Sequence, residues 1–140
     1  MGVGEMRFPL AAALLLVSGA AEAADCNHPL AIAFPAGAAT VTLNSGPLAD
    51  AVGCYQLTAR AGQKLTASVQ DADHAAFLEL YAPGWKATCN AAADCEVNGD
   101  LLSEDNQRSW EDELETTGIY LIVIDNSKSD AEYRLTVGLH

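Results

Sequence analysis

Basic residues are scarce in this sequence. Its 140 residues include 7 lysines and arginines against 19 aspartates and glutamates, which gives a formal net charge of −12. Proteins that bind nucleic acids or anionic membrane surfaces do so largely through lysine and arginine. The composition therefore argues against nucleic-acid and membrane-surface partners. A basic protein, a cation or no specific partner fits better.

Motifs of the common hydrolases and metalloenzymes are missing as well. The sequence contains no G-x-S-x-G and no H-E-x-x-H. Its three histidines, His28, His74 and His140, have no serine or cysteine partner motif nearby. Carboxylates are abundant, but abundance in an acidic chain does not make a catalytic pair. We therefore predict a protein that is not an enzyme and that uses no cofactor and no metal.

Long hydrophobic runs are also absent. The segment Phe8–Val17 is apolar but short, and Ala21-Glu22-Ala23 places small residues at the two positions that signal peptidase reads. A membrane-spanning helix needs about 20 apolar residues. We predict that residues 1–23 are a signal peptide cleaved near Ala23. Residues 24–140 should then form one periplasmic or secreted domain without membrane insertion.

An even number of cysteines in an exported chain predicts disulfides. The four are Cys26, Cys54, Cys89 and Cys95. Three pairings are open, but the short loop between Cys89 and Cys95 favours a local bridge, which leaves Cys26 for Cys54. The sequence has no C-x-x-C pair and no histidine near Cys89 or Cys95, which argues against a zinc site.

Short segments of alternating polarity, separated by turn residues, fill most of the remaining chain. Gly53–Ala59 and Lys64–Gln70 flank the turn Ala61-Gly62-Gln63 and are predicted to form a hairpin. The closing segment Glu132–Leu139 alternates in the same way. Seven to nine such strands, with no helix after the signal peptide, predict an all-β fold. We expect a single-domain antiparallel β-sandwich, jelly-roll-like, with two disulfides.

The strongest strand signal is Ile119–Ile124, a run of apolar and mostly β-branched or aromatic residues. Its length suits a strand better than a buried helix, and Gly118 marks a turn before it. We predict a central strand with both faces covered. The closing segment Glu132–Leu139 is its expected neighbour in the sheet.

An acidic region extends from Asp94 to Glu115, with nine acids against the single base Arg108. One interpretation is a solvated face. The other is a patch that steers a basic partner, mainly by raising the association rate. The candidate contact residues in this region are Trp110, Glu111, Asp112 and Glu113. For Trp110 we expect a place in the core before a role as a contact residue. Oxygen-rich turns at Asp71–Asp73 and Asp125–Asp130 leave calcium as an alternative ligand.

Four segments, in this order, resemble the bacterial pre-peptidase C-terminal (PPC) domain. They are Tyr55–Leu65, Phe77–Gly84, Thr117–Val123 and Tyr133–Val137. The resemblance spans roughly Gly53 to Gly138 and implies a jelly-roll-like sandwich without catalytic activity. Among exported proteins of this size, the chain also resembles the periplasmic inhibitors of g-type and i-type lysozyme.

The functional loop of those inhibitors is Ser-Gly-x-Tyr, and the matching residues here are Thr117, Gly118, Ile119 and Tyr120. The resemblance implies that this loop enters a lysozyme cleft and that the partner is a basic protein such as a lysozyme. The alternative interpretation is a purely structural role, as a turn followed by a tyrosine corner. The alternative function is an exported PPC-like module that binds glycan, peptidoglycan or calcium. The sequence leaves monomer and homodimer open.

Overall fold

Ten β-strands form two four-stranded sheets and a two-stranded ribbon. The computed structural model describes residues 26–45, 52–91, 94–126 and 132–140. The strands are β1 (Leu30–Ala31), β2 (Thr40–Asn44), β3 (Val52–Ala59), β4 (Lys64–Gln70), β5 (Ala76–Tyr81), β6 (Lys86–Ala91), β7 (Asp94–Asn98), β8 (Ser109–Glu113), β9 (Gly118–Asn126) and β10 (Arg134–Leu139). Sheet A has the order β1-β3-β9-β5, sheet B the order β2-β10-β4-β8, and β6 pairs with β7. The predicted β-sandwich is confirmed.

The main core lies between the two sheets and follows from the alternation along each strand. On β3 the inward side chains are Tyr55, Leu57 and Ala59, and on β4 they are Leu65, Ala67 and Val69; all six are buried. Side chains of a strand alternate between its two faces, so one face of each sheet is apolar. Burying these two faces against each other is the main stabilising contribution to the fold.

The hairpin predicted around Ala61-Gly62-Gln63 is wrong. Strand β3 pairs with β9 in sheet A, and β4 pairs with β10 and β8 in sheet B. The turn therefore crosses from one sheet to the other, and the two strands pack face to face across the core. Alternation shows which face of a strand is buried. A hairpin within one sheet and a crossover between two sheets bury the same faces, so alternation does not distinguish them.

Strand β9 is central, as predicted, and both of its faces are covered. Tyr120, Ile122 and Ile124 lie in the main core, while Leu121 and Val123 belong to a second apolar cluster on the outer face of sheet A. The predicted pairing with the closing strand is wrong, because β9 pairs with β3 and β5. The closing strand β10 lies in the opposite sheet, between β2 and β4.

The ribbon of β6 and β7 covers the outer face of sheet A. Its partly buried residues Ala87 and Val97, together with Trp85 just before β6, pack against the cluster that contains Leu121 and Val123. Without this ribbon the outer face of the central strand would be an exposed apolar surface. The ribbon thus explains why a strand in the middle of a mostly antiparallel sandwich is apolar on both sides.

Both favoured disulfides are confirmed, Cys26–Cys54 and Cys89–Cys95. They lie side by side, since the sulfur atoms of Cys26, Cys89 and Cys95 are within 4.8 Å of one another, and Cys89–Cys95 links the two strands of the ribbon. The side-chain amide of Asn27 adds hydrogen bonds to both the N–H and the carbonyl of Cys89. A disulfide of this kind typically contributes about 2–4 kcal/mol. The pair therefore fixes the N-terminal segment and the ribbon on the same face.

The irregular segment 99–107, defined here as the edge segment, runs along the free side of β5. The N–H of Ala82 donates to the carbonyl of Asp100, and that of Leu102 donates to Leu80. The N–H of Leu78 donates to Gln107 near the other end. The edge segment thus closes sheet A before the chain enters β8.

The signal peptide predicted at residues 1–23 lies outside the described residues and stays a prediction. In the described ranges, no helix is long and apolar enough to cross a membrane.

Candidate functional site

The corner formed by Thr117, Gly118 and Ile119 lies where β9 begins, at one end of the sandwich. The hydroxyl oxygen of Thr117 accepts a hydrogen bond from the N–H of Ala61, at 2.9 Å. The indole N–H of Trp85 donates to the carbonyl of Ile119, at 3.0 Å. The corner is therefore held on one side by the β3–β4 turn and on the other by the residue that precedes β6.

Gly118 is required at this corner for two reasons. Its φ of +155° lies in a region that other residues rarely adopt. A Cβ atom at this position would also lie 2.8 and 2.9 Å from the Cβ and Cγ of Pro83. Any side chain would push the corner away from the β5–β6 turn, so the Gly at this point of the predicted loop has a packing role.

Tyr120 is part of the core rather than of the surface. Its ring is 1% exposed, and its hydroxyl donates to the carbonyl of Thr116, four residues earlier. This is the tyrosine corner that the sequence suggested. Burial raises the pKa of Tyr120, and the nearby Glu115 carboxylate adds to that rise. The phenol therefore stays protonated at neutral pH and keeps its hydrogen bond. Its ring offers no contact surface to a partner.

Ile119 is the apolar side chain that the corner presents to solvent. It is 44% exposed, although the sequence placed it in the core strand. Its neighbour in the chain, Tyr120, points inward and so turns Ile119 outward. Among the described residues, Leu101 is the other large apolar side chain with comparable exposure, at 42%. Leu101 lies on the edge segment and pairs with Tyr81.

A small acidic depression lies beside the corner. It has a volume of about 140 Å³, and four of the predicted contact residues border it, namely Trp110, Asp112, Glu113 and Tyr120. Asp100 of the edge segment and Glu115 add two more carboxylates. Trp110 is half-buried and packs against the main core, as expected. The structure therefore brings part of the acidic region and the β9 corner to one surface.

Glu111 does not share this surface. Glu111 lines a separate groove with Thr66 and Ser68. Its carboxylate forms an exposed ion pair with the ammonium group of Lys64. Of the predicted acidic contacts, Asp112 and Glu113 are the two that border the depression.

Two residues that support the corner, Pro83 and Trp85, had no functional signal in the sequence. The Pro83-Gly84 turn predicts a strand end, but nothing in its pattern shows that it meets Gly118 from a distant part of the chain. The indole N–H of a buried tryptophan usually donates a hydrogen bond. That rule identifies Trp85 as a donor without indicating that Ile119 accepts.

The oxygen-rich turn at Asp71 lies at the other end of β4 and is occupied by protein contacts. The Asp71 side chain is fully buried, and its two oxygens accept hydrogen bonds from the N–H groups of Ala75 and Ala76. The guanidinium of Arg108 donates to Asp71 at 3.1 Å and to the carbonyl of Ala76 in sheet A. This network ties the sheets together and leaves the Asp71 oxygens engaged. Residues 127–130 of the second oxygen-rich turn are outside the described residues.

Stability at low pH should depend on Asp71. Burial raises the pKa of its carboxyl group, but the hydrogen bonds from Ala75, Ala76 and Arg108 outweigh that effect and leave the pKa below its ordinary value. A lowered folded-state pKa stabilises the protein above the unfolded pKa of about 3.9, and the contribution is lost as pH falls toward the folded value. Asp71→Asn should cost about 1–3 kcal/mol at neutral pH, with the difference from wild type shrinking in acid.

Urea unfolding at a series of pH values measures this difference. Asp105→Asn removes a carboxylate from an exposed position and serves as the matched control. A cost for Asp71→Asn that stays constant from neutral pH down to about pH 3 would contradict the assignment.

Comparison with solved structures shows a shared fold with three inhibitors. The chain is similar to Aeromonas hydrophila PliG, a periplasmic inhibitor of g-type lysozyme, with a TM-score of 0.59 and 21% identity over 80% of this chain and 96% of that one. For Salmonella Typhimurium PliG the TM-score is 0.52 and the identity 18%, over 80% and 97% of the chains. For a mutant of Escherichia coli PliG they are 0.54 and 14%, with the same coverage.

Identities at this level show the fold alone. No protein-family model matches the sequence, and no curated protein matches it. The resemblance to the pre-peptidase C-terminal domain therefore stays a prediction.

Proposed function

We propose that this protein binds a lysozyme and inhibits it by filling its substrate cleft. The observation that carries the proposal is the exposed side chain of Ile119 on a backbone corner held from both sides. The three structures of similar fold are inhibitors of g-type lysozyme, which makes a g-type enzyme the first target to test.

The corner suits insertion into a cleft because it is already ordered. Binding is weakened by the entropy lost when a flexible loop becomes fixed. Thr117 and Ile119 are hydrogen-bonded to neighbouring turns, and Tyr120 anchors the start of β9 in the core. Ile119 would supply the apolar contact. The Thr117 hydroxyl accepts from Ala61, so its own hydrogen remains for donation to a group in the cleft.

The acidic depression would govern the approach of the partner. Asp100, Asp112 and Glu115 lie beside the corner, and lysozymes are commonly basic. Complementary charges of this kind raise the association rate and lose their effect as salt screens them. We therefore assign Ile119 to affinity and the carboxylates to steering.

Titration of purified protein against g-type, i-type and c-type lysozymes tests the proposal. We expect stoichiometric inhibition of a g-type enzyme at low salt. Raising the salt concentration should slow association more than it speeds dissociation. Failure to inhibit any of the three at micromolar concentration in low salt would rule the proposal out. Calorimetry with calcium and with peptidoglycan fragments, run in parallel, would then show whether the alternative function applies.

A further inference from the structure

Strand β2 has a free edge with unpaired backbone groups. It is the outermost strand of sheet B and pairs with β10 on its inner side. The N–H of Leu139 donates to Ala39 and that of Ser45 to Tyr133, so the odd-numbered residues of this stretch face β10. The N–H and carbonyl groups of Thr40, Thr42 and Asn44 therefore point outward. No hydrogen bond to them is found within the described part of the chain.

The other sheet edges are protected by familiar devices. The opposite edge of sheet B is β8, which carries Glu111, Asp112 and Glu113. In sheet A, the edge segment covers β5, and β1 is only two residues long. Charges, covering segments and short strands all prevent unwanted pairing of edges. Strand β2 carries neither charge nor proline, since its sequence is Thr-Val-Thr-Leu-Asn, and no strand in the described part of the chain pairs with its outer side.

The chain segment that contains β2 is also uncharged. From Pro29 to Ser45 the sequence contains no acidic or basic residue, in a chain with a net charge of −12. The exposed residues just before β2 are small or apolar, and they include Pro35, Ala36, Ala38 and Ala39. The strand at this edge of the sandwich therefore carries no charge of its own, and the side chains of opposite charge Glu132 and Arg134 border it near Asn44.

We infer that this edge pairs with β2 of a second copy of the chain. In a two-fold symmetric dimer each surface patch meets its own copy, so a charged patch repels itself and a neutral one does not. An antiparallel pairing would place Thr42 opposite Thr42 and Thr40 opposite Asn44 of the second copy. Each of these residues then exchanges both of its free backbone groups. The two copies of sheet B would become one continuous eight-stranded sheet.

This arrangement leaves the acidic edge free. Strand β8 lies at the far side of sheet B, with β10 and β4 between it and β2. A dimer formed through β2 therefore presents two β8 edges, one at each end of the joined sheet. The inference concerns assembly only and does not depend on the proposed inhibition.

Light scattering coupled to size-exclusion chromatography tests the dimer. Wild-type protein should show twice the mass of one chain at submillimolar concentration and should dissociate to monomers on dilution. Thr42→Pro should show the mass of one chain at every concentration, because proline removes an N–H that faces outward and contributes nothing to the ladder with β10. Thr42→Val is the matched control. It loses the same side-chain contact to Thr136 but keeps the N–H, so it should dimerise like the wild type.

Amide hydrogen exchange provides the second measurement if Thr42→Pro does not fold. In wild-type protein the amides of Thr40, Thr42 and Asn44 should exchange more slowly as the concentration rises. A wild-type protein that stays monomeric at submillimolar concentration would overturn the inference. A folded Thr42→Pro protein that dimerises like the wild type, or exchange at these amides that is independent of concentration, would do the same.

Discussion

Tyr120→Ala should be among the most destabilising substitutions in this chain. The Tyr120 ring fills the main core beside Ile122 and Ile124, and it is 1% exposed. Replacing a buried aromatic residue by alanine removes its apolar contacts and leaves a cavity, at a typical cost of about 3–5 kcal/mol. Small domains have a total stability of about 5–15 kcal/mol. We therefore expect a large drop in the midpoint of thermal or urea unfolding.

Tyr120→Phe separates the two contributions of this residue. It keeps the ring in the core and removes only the hydroxyl that donates to Thr116. A hydrogen bond of this kind contributes about 0.5–1.5 kcal/mol, so this variant should stay folded and be only slightly less stable. If Tyr120→Ala unfolds at the same urea concentration as the wild type, Tyr120 does not lie in the core as described. A binding defect in a partly unfolded Tyr120→Ala protein would say nothing about the corner.

Ile119→Asp should abolish inhibition while leaving the fold intact. Ile119 is 44% exposed, and substitutions at surface positions usually change stability by no more than about 0.5 kcal/mol. Buried anchors at the centre of an interface typically cost about 2 kcal/mol or more when removed, which is roughly a thirtyfold loss of affinity. A carboxylate placed in the interface without a partner adds a desolvation cost. Inhibition titrations of wild type and variant against the same lysozyme measure the loss.

Leu101→Asp is the matched control for this experiment. Leu101 is exposed to nearly the same extent as Ile119, but it lies on the edge segment and not at the β9 corner. The same change of side chain there should leave inhibition unaltered. Equal inhibition by Ile119→Asp and wild type would remove the corner from the interface while leaving the function itself open to test. Equal losses in both variants would show that added negative charge, rather than the corner, causes the defect.

The sequence on its own was sufficient for the fold class, and among three possible disulfide pairings it favoured the one that the structure has. Alternation in segments such as Lys64–Gln70, with turn residues between them, predicts a sandwich of short strands. These features are properties of each segment alone and do not depend on which strands pair. The short loop from Cys89 to Cys95 likewise identifies a local bridge, since a local bridge depends on few other residues. The run Ile119–Ile124 predicts a strand covered on both faces for the same reason.

Tertiary structure alone decided which strands are neighbours and which side of the corner faces outward. Periodicity records the buried face of a strand, and β4 buries the same face whether its partner is β3 or β10. The choice depends on contacts between distant segments, such as those of β4 with β10 and β8. Because Tyr120 points into the core, alternation along β9 turns Ile119 to solvent. The motif Thr117–Tyr120 is therefore divided between a surface corner and a buried anchor, because its last side chain is needed to fill the space between the sheets.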